Sequence, residues 1–177
     1  MSNHWNKYLI QSYFAGIILG FIMAETKIHT QENIEQATFG AGCFWCVEAI
    51  FERLDGVIDV QAGYTGGNIE NPTYEDICTG KTGHAEAIQI TYNPHVINYD
   101  KLLNIFWASH DPTTLNQQGA DIGTQYRSVI FHHNKEQEQI SQKSTQKVAN
   151  SKMYVNPIVT EIIPLGIFYP AEDYHQN

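Results

Sequence analysis

Residues 40–46 read Gly-Ala-Gly-Cys-Phe-Trp-Cys and stand between a short apolar run, Ala37-Thr38-Phe39, and an amphipathic stretch, 47–54. The glycines allow a tight turn and a close backbone approach at the junction. The pattern predicts a strand over 36–39 that feeds a helix over 44–54, with Val47, Ile50, Phe51 and Leu54 on its buried stripe. Cys43 then falls at or near the first helical turn, where unpaired N–H groups and the helix dipole favour an anion. A thiol so placed loses its proton more easily, and the thiolate is the reactive form. Cys43 is therefore expected to be a nucleophile of lowered pKa, with Phe44 and Trp45 as an apolar wall beside it.

Free cysteines are more often small buried hydrophobes. Here the glycine turn, the helix start and Cys46 at i+3 point to chemistry instead. A Cys-X-X-Cys pair can also bind metal, but structural zinc sites take four ligands. The chain has one such pair, and its eight histidines are scattered apart from His132-His133. Three cysteines in 177 residues make no disulfide scaffold.

With 42% hydrophobic and 16% charged residues the chain is globular, and it is long enough for one domain with a substantial core. A net charge of -9, without a lysine or arginine stripe, argues against a nucleic-acid partner. Residues 13–24 are apolar and carry no charge. That length suits a signal-peptide core better than a membrane span, which takes about 20 residues. Residues 1–24 are read as an export signal or uncleaved membrane anchor, 25–35 as a linker, and 36–177 as the catalytic domain. The expected location is periplasmic or membrane-tethered, and cytoplasmic if the first segment is not a signal.

Further along, strands are predicted at 57–62, 84–92, 127–132 and 158–163, and helices at 72–79, 99–109 and 135–153. A flexible loop is expected at 63–67, a long polar and functional loop at 111–125, and an irregular aromatic tail at 164–177. The alternation predicts an α+β two-layer sandwich with a mixed β-sheet and flanking helices. Along 84–92 successive side chains alternate in face, so Glu86 shares one with Ile88 and Ile90. A carboxyl on an apolar face is costly when ionised, so its pKa should rise and leave it able to donate a proton near neutral pH. The alternative is a wet strand end with Glu86 facing water.

Four stretches carry a family resemblance: Gly42-Cys43-Phe44-Trp45, residues 74–86 (YEDICTGKTGHAE), residues 116–128 (NQQGADIGTQYRS) and residues 169–176 (YPAEDYHQ). Together they resemble the peptide methionine sulfoxide reductase A family, in the family's order and across nearly the whole domain. The resemblance implies a ferredoxin-like core; no cofactor is expected, and the ligand count above argues against a metal. It implies that Cys43 attacks the sulfur of methionine S-sulfoxide, free or in a protein, while Glu86 protonates the departing oxygen. Tyr74 and Tyr126 would hold that oxygen, Phe44 and Trp45 would cradle the methyl group, and Asp121 would lie in the binding site. Cys43 is left as a sulfenic acid.

The chain departs from the family pattern at Cys46, where glycine is usual, and it has no cysteine in its tail. Cys46 is expected to resolve the sulfenic acid as a disulfide with Cys43, and a dithiol reductant such as thioredoxin to restore both. Inside a regular helix that bond would be strained, so local unwinding is expected. Cys78 is expected to be buried and inert, and a peptide map decides between it and Cys46. The protein is expected to be a monomer. The competing readings are a general Cys-X-X-Cys thiol–disulfide oxidoreductase, a non-catalytic domain that recognises oxidised methionine, and a zinc module. The first would reduce insulin disulfides but not methyl sulfoxides.

Overall fold

The structure is a computed structural model that describes residues 33–176. The expected signal or anchor at 1–24 and most of the linker lie outside the described residues. The first strand, β1 (Glu35–Ala41), leads through Gly42 into helix α1 (Phe44–Phe51). Then follow β2 (Val57–Thr65), the short α2 (Tyr74–Cys78), β3 (Ala85–Tyr92) and α3 (Tyr99–Ser109). A two-residue-arm hairpin, β4 (Gln117–Gln118) with β5 (Asp121–Ile122), precedes a 3-10 turn at Thr124–Tyr126. The chain continues with β6 (Ser128–His132), α4 (Lys135–Asn150), β7 (Glu161–Pro164), β8 (Tyr169–Pro170) and a second 3-10 turn, Asp173–His175.

Six strands form one sheet in the order β7-β6-β1-β3-β2-β8. All neighbours run antiparallel except β6 and β7, which are parallel, so the sheet is mixed. The central four, β6-β1-β3-β2, with α1 and α3 as connections, are the βαββαβ arrangement of a ferredoxin-like core. Strand alternation explains the two faces. Ala37, Phe39, Ile88, Ile90 and Ile130 meet Phe44, Val47, Phe51, Leu102, Leu103 and Phe106 of the helices in the main core. Ala85, Ala87, Val129 and Phe131 point the other way and are covered by Ile163, Leu165 and Phe168.

Several elements differ from the sequence pattern for identifiable reasons. Helix α1 buries Phe44, Val47, Glu48 and Phe51, while Ile50 is 38% exposed. The i, i+3, i+4, i+7 stripe therefore starts at Phe44, three residues before the predicted one, and the helix ends at Phe51 rather than at Leu54. Residues 63–65, expected to be loop, continue β2, since Gly63 pairs with Ala87 on one side and Pro170 on the other. A Cβ at Gly63 would collide with the Phe168 ring and the Tyr169 carbonyl, so glycine is what lets the tail dock as β8. The tail is therefore partly regular. The polar loop at 111–125 carries the β4–β5 hairpin.

Candidate active site

Four pieces of chain converge at the end of the sheet where β1 passes into α1. Gly42 has φ +88, and a Cβ there would lie 2.6 Å from Cγ of Gln118, so the β4–β5 hairpin rests directly on the glycine turn. Cys43 is the N-cap of α1, with φ -58 and ψ 117, and its carbonyl accepts from the Cys46 amide at 3.2 Å. This places the pair at the very start of the helix. The Cys43–Cys46 pair spans N-cap to N3, not two positions inside the helix, and an N-cap side chain naturally turns toward N3.

All three cysteines are free; Cys43 is half-buried and Cys46 exposed. The Cys43 thiol is pushed up, not down. Burial is the main cause, and the charges of Cys46 and Glu86 add to it, while the Cys46 and Trp45 amides oppose it. The helix start does favour the anion as the sequence argued, but desolvation outweighs it. Cys78 is likewise corrected: it is exposed at the end of α2, beside Tyr74.

Glu86 stands on the apolar face of β3 and is 2% exposed. The Phe44 amide, next in the chain to Cys43, donates to Glu86 Oε2 at 3.2 Å. The carboxyl is pushed up to about 7 by burial, against the Phe44 amide and with help from the charge of Asp121. The wet-strand-end alternative is thereby excluded. The acid is thus hydrogen-bonded to the backbone of the residue that follows the half-buried Cys43.

The remaining predicted residues gather around this pair. Burial, Cys78 and the charge of Glu86 push the Tyr74 hydroxyl up, and burial, Glu86 and Asp121 do the same to Tyr126. Both phenols therefore remain protonated donors. Tyr74 comes from α2, Tyr126 from the turn before β6, and Asp121 from the exposed strand β5. Phe44 is buried and Trp45 is 49% exposed, with ring centroids 6.2 Å apart.

Part of the surroundings was not marked as functional in the sequence. The His175 ring is 2% exposed and lies 5.2 Å from Phe44, 5.2 Å from Trp45 and 4.4 Å from Tyr74. The Trp45 indole N–H donates to the His175 carbonyl at 3.1 Å, across 130 residues of chain. Arg127, 8% exposed, donates to the Gly83 and Thr124 carbonyls and so ties the start of β3 to the turn that carries Tyr126. Local pattern holds no signal for the Trp45–His175 and Arg127–Gly83 contacts, because the partners are distant in the chain.

Among the described residues no cluster of three His, Cys, Asp or Glu side chains is placed to hold a metal ion, and no helix is long and apolar enough to cross a membrane.

Comparison with known proteins adds four findings. The family profile for peptide methionine sulfoxide reductase matches residues 35–177. The peptide methionine sulfoxide reductase MsrA of Methanothermobacter thermautotrophicus is 56% identical over 143 residues, covering 81% of this chain and 85% of that one. Among solved structures, Mxr1 from Saccharomyces cerevisiae in reduced form superposes with a TM-score of 0.76 at 37% identity, over 81% of this chain and 82% of that one. Mxr1 in complex with Trx2 also matches, at a TM-score of 0.59 and 28% identity, over 85% and 90% of the two chains.

Proposed function

Because this chain belongs to the peptide methionine sulfoxide reductase family, we propose that it reduces methionine S-sulfoxide, free or in proteins, to methionine, with thioredoxin as the final reductant. The observation that carries the reading is the buried Glu86 carboxyl, pushed up to about 7 and held by the Phe44 amide beside Cys43. A sulfoxide reductase needs a sulfur nucleophile and a proton for the leaving oxygen, and this pair supplies both.

The Tyr74 and Tyr126 hydroxyls donate to the sulfoxide oxygen, and Phe44 and Trp45 hold the methyl group on sulfur. The Cys43 thiolate attacks the sulfoxide sulfur, and Glu86 gives its proton to the oxygen. The oxygen ends on Cys43 as a sulfenic acid, the substrate sulfur gains two electrons, and methionine leaves. The Cys46 thiol then attacks the Cys43 sulfur, releasing water and forming a disulfide. A dithiol reductant takes up the oxidising equivalents and returns both thiols. The N-cap-to-N3 placement of the pair and the exposure of Cys46 support its role as resolving residue.

Turnover on the separated S and R epimers, first with dithiothreitol and then with thioredoxin, tests the reading. The S epimer alone is expected to react. With thioredoxin, Cys46→Ser is expected to yield about one methionine per chain and then stop, because no disulfide forms for the reductant to attack. Normal recycling and an intramolecular disulfide in that variant would reassign the resolving role to Cys78.

The apolar stretch at 13–24 supports export or tethering. An exported domain calls for a thioredoxin-like protein of its own compartment, and the mass of the protein recovered from cells decides whether the stretch is cleaved. The domain is read as a monomer.

A further inference from the structure

We propose that Glu172 is a positioning residue for this reaction: its carboxylate, delivered by the C-terminal tail, sets where Tyr74 stands in the site. The inference rests on the reading of Tyr74 as a group that binds the sulfoxide oxygen.

Helix α2 has five residues and buries a single side chain, Ile77. Only Ile77 and the partly buried Tyr74 pack it against the main core, so its polar ties to the rest of the fold matter more. Its capping box joins Thr73 to Asp76 and so ties the helix only to itself. The ties that reach outward are at its two ends. At the start, the Tyr74 amide donates to Glu172 Oε1 at 2.9 Å. Past the end, the Thr124 hydroxyl donates to the Gly80 carbonyl at 3.2 Å.

Glu172 refers Tyr74 to the strand beside the acid. Its other oxygen accepts from the Tyr64 hydroxyl at 2.9 Å. Tyr64 is fully buried, stands opposite Glu86 in the β2–β3 register, and lies 5.9 Å from the Phe44 ring. The same carboxylate is 3.9 Å from His175 Nε2, and that ring packs on Tyr74. One carboxylate thus connects the helix bearing Tyr74 with the strand facing Glu86. The tail that carries it is itself held: the Gln176 side chain accepts from the Ala62 amide at 3.1 Å and donates to the Ala62 carbonyl at 3.0 Å.

A double-mutant cycle separates positioning from general support of the fold. Glu172→Ala is expected to lower kcat/KM for the S-sulfoxide by about ten- to a hundredfold, the effect of a small misplacement of a binding group. Glu172→Gln keeps one acceptor oxygen and should lose less. In a Tyr74→Phe background, Glu172→Ala is expected to lower kcat/KM by less than about twofold, because the hydroxyl it places is already gone. Equal losses in both backgrounds overturn the proposal. Should the alanine variant fail to fold, Glu172→Gln takes its place in the same cycle. Hydrogen exchange at the Tyr74 amide gives a readout free of turnover. Faster exchange in the Glu172 variants is expected, and unchanged protection overturns the proposal. A wild-type chain inactive on sulfoxide would sink the activity reading instead, with the Tyr74 amide still deciding whether Glu172 holds α2.

Discussion

Cys43→Ser is expected to abolish sulfoxide reduction while raising the melting temperature. A serine hydroxyl is a far weaker nucleophile than a thiolate and forms no counterpart of the sulfenic acid, so kcat/KM should fall by roughly four orders of magnitude or more. Stability moves the other way. Cys43 occupies the N-cap of α1 without a side-chain capping hydrogen bond. Serine is among the preferred N-cap residues, and gaining that bond is worth about 1 kcal/mol, or a rise of about 3 °C in a domain of this size. Turnover assays on both epimers and a thermal melt check the two halves. A variant that keeps activity within tenfold of wild type would move the nucleophile to Cys46 or Cys78. The opposite signs are what a site that gives up local stability for reactivity should show.

Glu86→Gln has the second largest expected effect, about 10²- to 10⁴-fold in kcat/KM, the usual contribution of a placed proton donor. Its pH dependence is the sharper test. Reaction needs Glu86 protonated, with its pKa near 7, and Cys43 ionised, with its pKa above the ordinary thiol value of 9.0. Below pH 7 the thiolate fraction limits the rate, so kcat/KM climbs with pH. Between about 7 and the thiol pKa the acid is lost as fast as the thiolate is gained, so the profile levels off. The two apparent values belong to the coupled pair. In Glu86→Gln no acid is titrated. The profile of the variant should keep rising through pH 7 and beyond, from a much lower base. A wild-type profile that rises without a shelf near 7 would remove Glu86 as the acid.

The same carboxyl gives a stability prediction. Its folded pKa of about 7 lies above the ordinary 4.5, so between these values the folded chain holds a proton that the unfolded chain has released. Stability therefore falls as pH rises from about 4.5 to 7, by about 3 kcal/mol in all. Glutamine carries no charge to desolvate. Glu86→Gln should melt above wild type at pH 8 and alongside it near pH 4, and thermal melts at the two pH values check this.

What could be read before folding follows from neighbours along the chain. The glycine turn placed Cys43 at a helix start because backbone torsions are local, and the alternation along β3 placed Glu86 with Ile88 and Ile90 because strand faces repeat every second residue. The order of the five longer strands and the four helices was legible for the same reason, whereas the β4–β5 hairpin and β8 were not. The pKa of Cys43 was not. A helix start favours the thiolate, but burial between segments far apart in sequence outweighs it, and no local pattern reports that burial. Nor did the motif around Cys78 disclose that its thiol is exposed.

The amino-acid order by itself determined the succession of the longer strands and helices, the face on which the acid lies and the point where the nucleophile meets its helix, because each depends on torsions and periodicity over a few residues. Only the tertiary structure decided that Phe44 meets Glu86 across 42 residues and that Tyr64 meets Glu172 across 108. Those contacts depend on strand register and on where the tail docks, which are set by the packing of the whole sheet.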